Sequence, residues 1–110
     1  MPTIDRPARG SKTGRPIMVL LDLLGRRMAL RVIWELHLAG HPLTFREIQA
    51  AAGTNPGVLN ARVKELRDAQ LVERAATGYG LTPLGRSLVA VFLPIAEWSE
   101  RWGAKLRARK

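Results

Sequence analysis

The segment GTNPGVLNARVKELRDAQLVER, residues 53–74, contains a helix that starts with very little side chain. Asn55 is a typical N-cap residue, and Pro56 follows at the first helical position, where its missing N–H leaves no hydrogen bond unmade. At 100° per residue, one face of this helix collects apolar residues only, namely Leu59, Val63 and Leu66. That face is expected to pack against a core, so the opposite polar face is presented to a partner.

A second short helix precedes this one, and a tight turn joins the two. In LTFREIQAAAG, Thr44 and Glu47 have the spacing of a capping box, and Ile48 and Ala51 are expected to face inward. Gly53 ends that helix, and the turn GTN leads directly into the next. Two short helices joined in this way predict a helix-turn-helix.

The remaining sequence predicts further helices and one hairpin. PIMVLLDLLG predicts a helix from Pro16 to a stop at Gly25, and RRMALRVIWELHLAG predicts a helix that ends at Gly40, with Met28 among its repeating apolar residues. The pattern also allows one helix broken at Gly25. LVERAATGYGLT alternates apolar and polar residues around a turn, which predicts a hairpin with strands 71–74 and 79–82.

The last predicted helix begins after its N-cap Thr82 and carries an apolar stripe at alternating spacings of four and three. Two indole rings near the end of that stripe need a partner to cover them. The first and last helices are therefore expected to form a dimer interface. The residues expected in it are Leu20, Leu24, Leu84, Leu88, Val91, Ile95, Trp98 and Trp102.

The chain has 110 residues, 46% of them apolar, which fits one domain with a real core. The predicted fold is mainly α with a small β-hairpin wing (α+β), a winged helix-turn-helix over residues 16–106. It follows a flexible basic arm at 1–15 and precedes a basic tail at 107–110. The arm carries a net charge of +3 and residues 103–110 carry +4, of a total of +9. Such a charge favours a polyanionic partner, which could be nucleic acid, an anionic membrane surface or an acidic protein.

Several classes of function are excluded or disfavoured by composition. The absence of cysteine excludes disulfides, thiolate metal sites and thiol redox sensing. His37 and His41 have the spacing of metal ligands but are separated by Gly40, so we expect neither a metal nor a cofactor. No catalytic grouping is present, and an enzyme is not expected. The longest apolar stretch, SLVAVFLPIAEW, is shorter than the roughly 20 residues of a membrane span, so we expect a soluble, cytoplasmic protein.

The segment PLTFREIQAAAGTNPGVLNARVKELRDAQLVER, followed by YGLTPLGRSL and AEWSERW, resembles the HxlR family of bacterial winged helix-turn-helix regulators. The resemblance extends from Pro16 to Trp102. It implies a DNA-binding transcriptional regulator, and it points to the same dimerisation through the first and last helices. Members of the family commonly have a Cys-Pro pair where this chain has Arg15-Pro16, so a thiol sensor at that position is ruled out.

The polar face of the helix at residues 55–68 is the surface that a major groove would meet. Asn60 can pair bidentately with adenine, and Lys64 can donate to guanine acceptors. Arg62 and Arg67 are placed to contact phosphates on either side. The full set of expected DNA-binding residues is Thr44, Arg46, Asn55, Gly57, Asn60, Ala61, Arg62, Lys64, Arg67, Arg74 and Thr77.

These features predict a sequence-specific, homodimeric regulator of transcription that binds double-stranded DNA, and occupancy of a promoter favours repression. Two alternatives stay open. One is a sequence-independent architectural DNA-binding protein, and the other is a winged-helix protein-interaction module whose basic ends dock on an acidic partner. In each case a small-molecule effector, unidentified in chemistry, could bind between the wing domain and the dimer helices.

Overall fold

A computed structural model describes residues 14–109, so the predicted arm at 1–15 and Lys110 lie wholly or largely outside the described residues. The elements, in chain order, are α1 (Pro16–Leu24), α2 (Ala29–Ala39), α3 (Phe45–Ala52), α4 (Pro56–Asp68), β1 (Val72–Ala75), β2 (Gly78–Leu81) and α5 (Pro83–Ala108). This order confirms the prediction of a mainly helical winged helix-turn-helix with a hairpin wing. None of the helices described is long and apolar enough to cross a membrane.

The helix α2 lies at the centre of the fold and packs against α1, α3, α4, α5 and β2. Its inner face is buried along its whole length by Ala29, Val32, Ile33 and Leu36. The other elements add their own apolar side chains to the same core, among them Ile48 of α3 and Leu59, Val63 and Leu66 of α4. The predicted inner face of α4 is thus confirmed.

The chain between α1 and α2 turns at a corner, so the two segments are separate helices. Gly25 is the C-cap of α1, and Met28 stands before α2 with a left-handed backbone, at a φ of 73°. The prediction that Met28 belongs to the helical repeat of α2 is therefore wrong, because its backbone conformation is that of the turn. Ala29 begins the helix instead and is fully buried.

The three helix starts that the sequence marked most clearly are confirmed. Thr44 caps α3 with a complete capping box, Asn55 caps α4 ahead of Pro56, and the side chain of Thr82 accepts a hydrogen bond from Gly85 at the start of α5. Within α3, however, the residue that is buried along with Ile48 is Ala52, whereas Ala51 is half-buried.

The strands of the wing are shifted by one residue from the predicted ranges 71–74 and 79–82. The register pairs Val72 with Leu81 and Ala75 with Gly78, which leaves a two-residue turn. Leu71 pairs with Thr82 only through its carbonyl, which accepts from the Thr82 N–H at 3.1 Å, because its own N–H donates to Leu66 O at 2.9 Å and closes the end of α4.

Two close backbone contacts hold the wing and α5 against the rest of the fold. Leu43 and Tyr79 exchange both backbone hydrogen bonds, at 2.9 and 2.7 Å, which ties β2 to the loop before α3. Gly78 permits this contact, since a Cβ there would lie 2.2 Å from Leu43 O. At Gly85 a Cβ would lie 2.2 Å from Leu71 O, so only glycine lets α5 pack this close to the start of β1.

The helix α5 runs through Pro94 and continues to Ala108. It therefore extends past residue 106, the predicted end of the domain, into the predicted tail. With 26 residues it is about 39 Å long. Its two buried residues, Gly85 and Val89, both lie near its start. The second half of α5 therefore extends away from the core.

We expect Gly85→Ala to lower the free energy of unfolding by about 1–3 kcal/mol, because the added methyl group must displace the backbone of Leu71. Urea unfolding followed by circular dichroism measures the change. Gly103→Ala on the same helix is the matched control, since its Cβ would meet only the end of the Arg107 side chain, at 3.3 Å. The control should be as stable as the parent or slightly more so. Equal stability of the two variants would contradict the contact at Gly85.

Candidate nucleic-acid interface

An open groove of about 1000 Å³ lies between the exposed face of α4 and the wing. Asn60, Lys64 and Arg67 line it from α4, and Glu73 and Arg74 line it from β1. All five side chains are exposed. The structure thus brings four of the predicted DNA-binding residues to one surface, on two elements that the fold holds side by side.

The start of α4 presents backbone rather than side chain. Asn55 Oδ1 accepts a hydrogen bond from the N–H of Val58 at 2.9 Å, so its oxygen is used by the cap. Gly57 is exposed, and a Cβ there would meet only Asn55 Oδ1, at an ordinary 3.5 Å. Nothing within the described protein requires glycine at this position, although glycine costs a helix about 1 kcal/mol relative to alanine.

Thr44 and Arg46, at the start of α3, are both exposed. The capping box uses Thr44 fully, since its N–H donates to Glu47 Oε1 at 2.8 Å and its hydroxyl oxygen accepts from the N–H of Glu47 at 3.2 Å. The hydrogen bonds that the carboxylate of Glu47 receives from Thr44, first from its backbone N–H and then from its side chain, together with the charge of nearby His41, hold the pKa of Glu47 below its ordinary value. Thr44 therefore fixes the helix start, while Arg46 is the residue beside it whose side chain can extend outward.

Arg62 lies elsewhere than the sequence predicts. Its Nη1 donates to Glu65 Oε1 at 3.0 Å, and its side chain is only 18% exposed. Glu65 Oε2 is also 2.9 Å from Arg26 Nη1, and Arg26 Nη2 is 3.1 Å from Asp22 Oδ2. The four residues form an ion-pair network that joins α4 to the corner between α1 and α2. The prediction that Arg62 flanks the groove is corrected accordingly, because its guanidinium turns toward Glu65 and this corner.

Tyr79 is a residue of the interface that the sequence reasoning missed. Two guanidinium groups lie close to its ring, with Arg67 Cζ 5.8 Å and Arg74 Cζ 5.4 Å from the ring centroid. Arg74 Nη1 also donates to Tyr79 Oη at 3.2 Å. The hairpin pattern contains the signal for half of this arrangement, because a two-residue turn places Arg74 and Tyr79 directly opposite each other. Thr77, in the turn itself, is exposed and lies apart from this cluster.

The predicted dimer surface is partly reassigned. Leu24 is buried in the protomer core, only 6% exposed, and Leu20 and Leu88 pack against that core. Leu24 is therefore withdrawn from the interface, because no part of it is left for a partner. On α1 the exposed apolar residues are instead Ile17, Met18 and Leu21. The other predicted residues are about half exposed or more: Leu84, Val91, Ile95, Trp98 and Trp102.

The two histidines have separate surroundings. The ring of His37 packs against Trp34 at a centroid distance of 5.3 Å, and His41 Nδ1 is 2.9 Å from Pro42 O. Within residues 14–109, no three metal-ligating side chains come together.

An apolar cleft of about 460 Å³ lies between α2 and α5, lined by Trp34, Phe92 and neighbouring residues.

Comparison with known proteins places this geometry among regulators. The model of the HxlR-like helix-turn-helix family matches residues 23–107. Quinone-bound YodB from B. subtilis is 31% identical to the chain, with a TM-score of 0.71 over 77% of this chain and 96% of that one. The reduced form of the transcriptional regulator YodB is 30% identical, with a TM-score of 0.69 over 78% of this chain and 91% of that one.

A further structure, PA1607, has a TM-score of 0.67 over 83% of this chain and 67% of that one. At 24% identity it supports the fold alone. No curated protein matches the chain.

We expect Glu65→Gln to lower the free energy of unfolding by about 1–3 kcal/mol, because it removes the charge between Arg26 and Arg62, both of which are largely buried. Urea unfolding at neutral pH measures the loss. Glu97→Gln, an exposed carboxylate on α5, is the control and should leave stability within about 0.5 kcal/mol of the parent. A loss no larger than that of the control would show that the network does not stabilise the corner.

The capping box predicts a pH dependence. Because folding lowers the pKa of Glu47, its ionised form stabilises the protein above the ordinary value of about 4.5, and this contribution is lost as pH falls through the lowered pKa. The parent should therefore have a higher Tm than Glu47→Gln at neutral pH, with the difference shrinking toward pH 3. Thermal unfolding at a series of pH values measures it. A difference independent of pH would argue against an ionised Glu47 in the cap.

Proposed function

The chain belongs to the HxlR-like helix-turn-helix family, and from this premise we propose that it is a sequence-specific regulator that binds double-stranded DNA as a homodimer. Membership of the family and similarity to the regulator YodB make it a DNA-binding transcriptional regulator. The specificity, the homodimer and a repressing action are the parts that we propose. In this proposal the helix at residues 55–68, which is α4 with its cap, lies in the major groove of DNA.

The observation that carries the proposal is the exposed face of α4. Asn60 and Lys64 are both exposed there, and among the described residues the side-chain amide of Asn60 forms no hydrogen bond and Lys64 forms no ion pair. An amide and an ammonium group are side chains that read the edges of adenine and guanine. Ala61, which is half-buried, lies between Asn60 and Lys64, and Gly57 precedes them. Both have little or no side chain, so the helix surface is low at these two positions. A low surface is what close approach to base edges requires.

The homodimer is supported by the apolar surface of α5. The second half of this helix has no buried residue, yet Trp98 and Trp102 stack on each other there, with ring centroids 6.0 Å apart. Both indoles are more than half exposed, as is Val91, whereas the equally exposed Leu84 lines the groove beside α4. Such a stripe on a protruding helix is best covered by a second copy, together with the exposed residues of α1.

A dimer places two copies of α4 against successive major grooves, so we propose an operator with an inverted repeat. Occupancy of a promoter by such a dimer favours repression, and we place the protein in the cytoplasm, where regulators of this family meet promoter DNA.

YodB has been crystallised in a quinone-bound form. Here the chain lacks cysteine, so an effector would have to bind without thiol chemistry, and the apolar cleft between α2 and α5 is one site for it.

Fluorescence anisotropy tests the proposal with a duplex from the upstream region of the gene and a scrambled duplex of equal length, over a salt series. We expect at least hundredfold tighter binding to the upstream duplex near physiological salt. Equal binding with a steep salt slope would favour the architectural alternative. Binding to neither duplex would favour the protein-interaction module.

Variants of α4 test whether Asn60 and Lys64 cause the difference in affinity between the upstream and the scrambled duplex. Asn60→Ala and Lys64→Ala should each weaken binding to the upstream duplex by about 10- to 100-fold, with a smaller effect on the scrambled duplex, because base contacts are lost. Glu97→Ala, on α5, is the control and should bind as the parent does. Equal loss on both duplexes would show that these side chains do not read sequence.

A further inference from the structure

Two arginines from different elements converge on one tyrosine beside the groove. Arg67 belongs to α4 and Arg74 to β1, and their Cζ atoms lie 5.8 and 5.4 Å from the centroid of the Tyr79 ring. Both guanidinium groups therefore lie beside the same ring. Both side chains are exposed and line the groove.

Arg67 and Arg74 place two positive charges beside the ring of Tyr79, and in the described part of the chain neither charge is paired with a negative one. Asp68 and Glu73 also line the groove, but neither guanidinium has a carboxylate partner among residues 14–109. The ring face attracts each guanidinium, and Tyr79 Oη accepts a hydrogen bond from Arg74, which together offset part of the repulsion between like charges. An anion that bridges the two arginines would offset the rest.

Tyr79 itself is held from two sides. It pairs with Arg74 across the hairpin, and its backbone exchanges both hydrogen bonds with Leu43 in the loop before α3. The backbone of Tyr79 is therefore fixed relative to the wing and to the loop before α3 at the same time. A fixed aromatic platform reduces the side-chain entropy that two free arginines would lose on binding a ligand.

We propose that Arg67 and Arg74 form a clamp for a single DNA backbone phosphate, and that Tyr79 is the positioning residue that aligns them. The clamp rests on the proposed function, since its ligand is DNA, but it concerns the backbone and not the bases. The clamp would fix how deeply α4 enters the major groove of DNA, because one phosphate would contact both the helix and the wing.

The slope of log K against log salt tests whether the phosphate is shared, because each phosphate neutralised contributes about 0.9 to it. The variants are Arg67→Ala, Arg74→Ala and the double variant, titrated with both the upstream and the scrambled duplex. A shared phosphate predicts that the double variant loses about 0.9 of slope, whereas two independent contacts predict about 1.8. It also predicts that the double variant loses less affinity than the product of the two single losses, each about tenfold.

Tyr79→Leu and Tyr79→Phe test the platform. Leucine removes the ring, so the arginine effects should become multiplicative, and affinity for both duplexes should fall by several-fold. Phenylalanine keeps the ring and loses only the hydrogen bond to Arg74, so it should retain most of the coupling. Arg101→Ala, an exposed arginine on α5, is the control for loss of a charge alone. Circular dichroism confirms that each variant is folded.

Additive arginine losses with a slope change of about 1.8, or an unaffected Tyr79→Leu, would overturn the clamp while leaving the regulator intact. The proposed function fails separately if the parent binds the upstream and scrambled duplexes equally. In that case the slopes on the scrambled duplex still decide the clamp, because a phosphate contact is independent of sequence. No binding to either duplex at low salt would overturn both.

Discussion

Burial of the inner face of α2 is the constraint on which the rest of the structure depends. A helix of 11 residues contributes little stability alone, and its apolar side chains gain free energy only when other elements exclude water from them. Here α1, α3, α4, α5 and β2 all pack against it. The helix α4 and the wing are therefore held in one relative geometry by a shared neighbour, as the proposed DNA-binding surface requires.

The elements that surround α2 are located by backbone contacts rather than by apolar packing alone. The pairing of Leu43 with Tyr79 ties the wing to the helix-turn-helix, and the approach of α5 to Leu71 fixes where the last helix leaves the domain. Both contacts need glycine because a Cβ would occupy the space of a carbonyl oxygen. The long α5 is thus anchored at its start, while the exposed apolar residues of its second half, Trp98, Trp102 and Leu106, lie away from the core.

Local signals in the sequence predicted the elements well, and tertiary contacts account for what it missed. Caps at Thr44, Asn55 and Thr82 are formed by side chains three residues or fewer from the groups they bind, so sequence spacing reveals them. The partner of Arg62 on the same helix is equally local, but Glu65 is also paired with Arg26 on a distant segment, which spacing along the chain does not reveal. Leu24 was misplaced because α1 is apolar nearly all round, which leaves its inner face undetermined by periodicity.

The positive charge of the chain is concentrated near its two ends and not around the groove. Of the total charge of +9, residues 1–15 carry +3 and residues 103–110 carry +4. Around the groove, Lys64, Arg67 and Arg74 are accompanied by the acids Asp68 and Glu73, so the local excess is a single positive charge. A strongly basic groove would hold any duplex, because phosphate contacts carry no sequence information. In the proposed complex the chain ends supply the general attraction, so a nearly neutral groove fits a surface whose few side chains bind well only where base edges and phosphates both match.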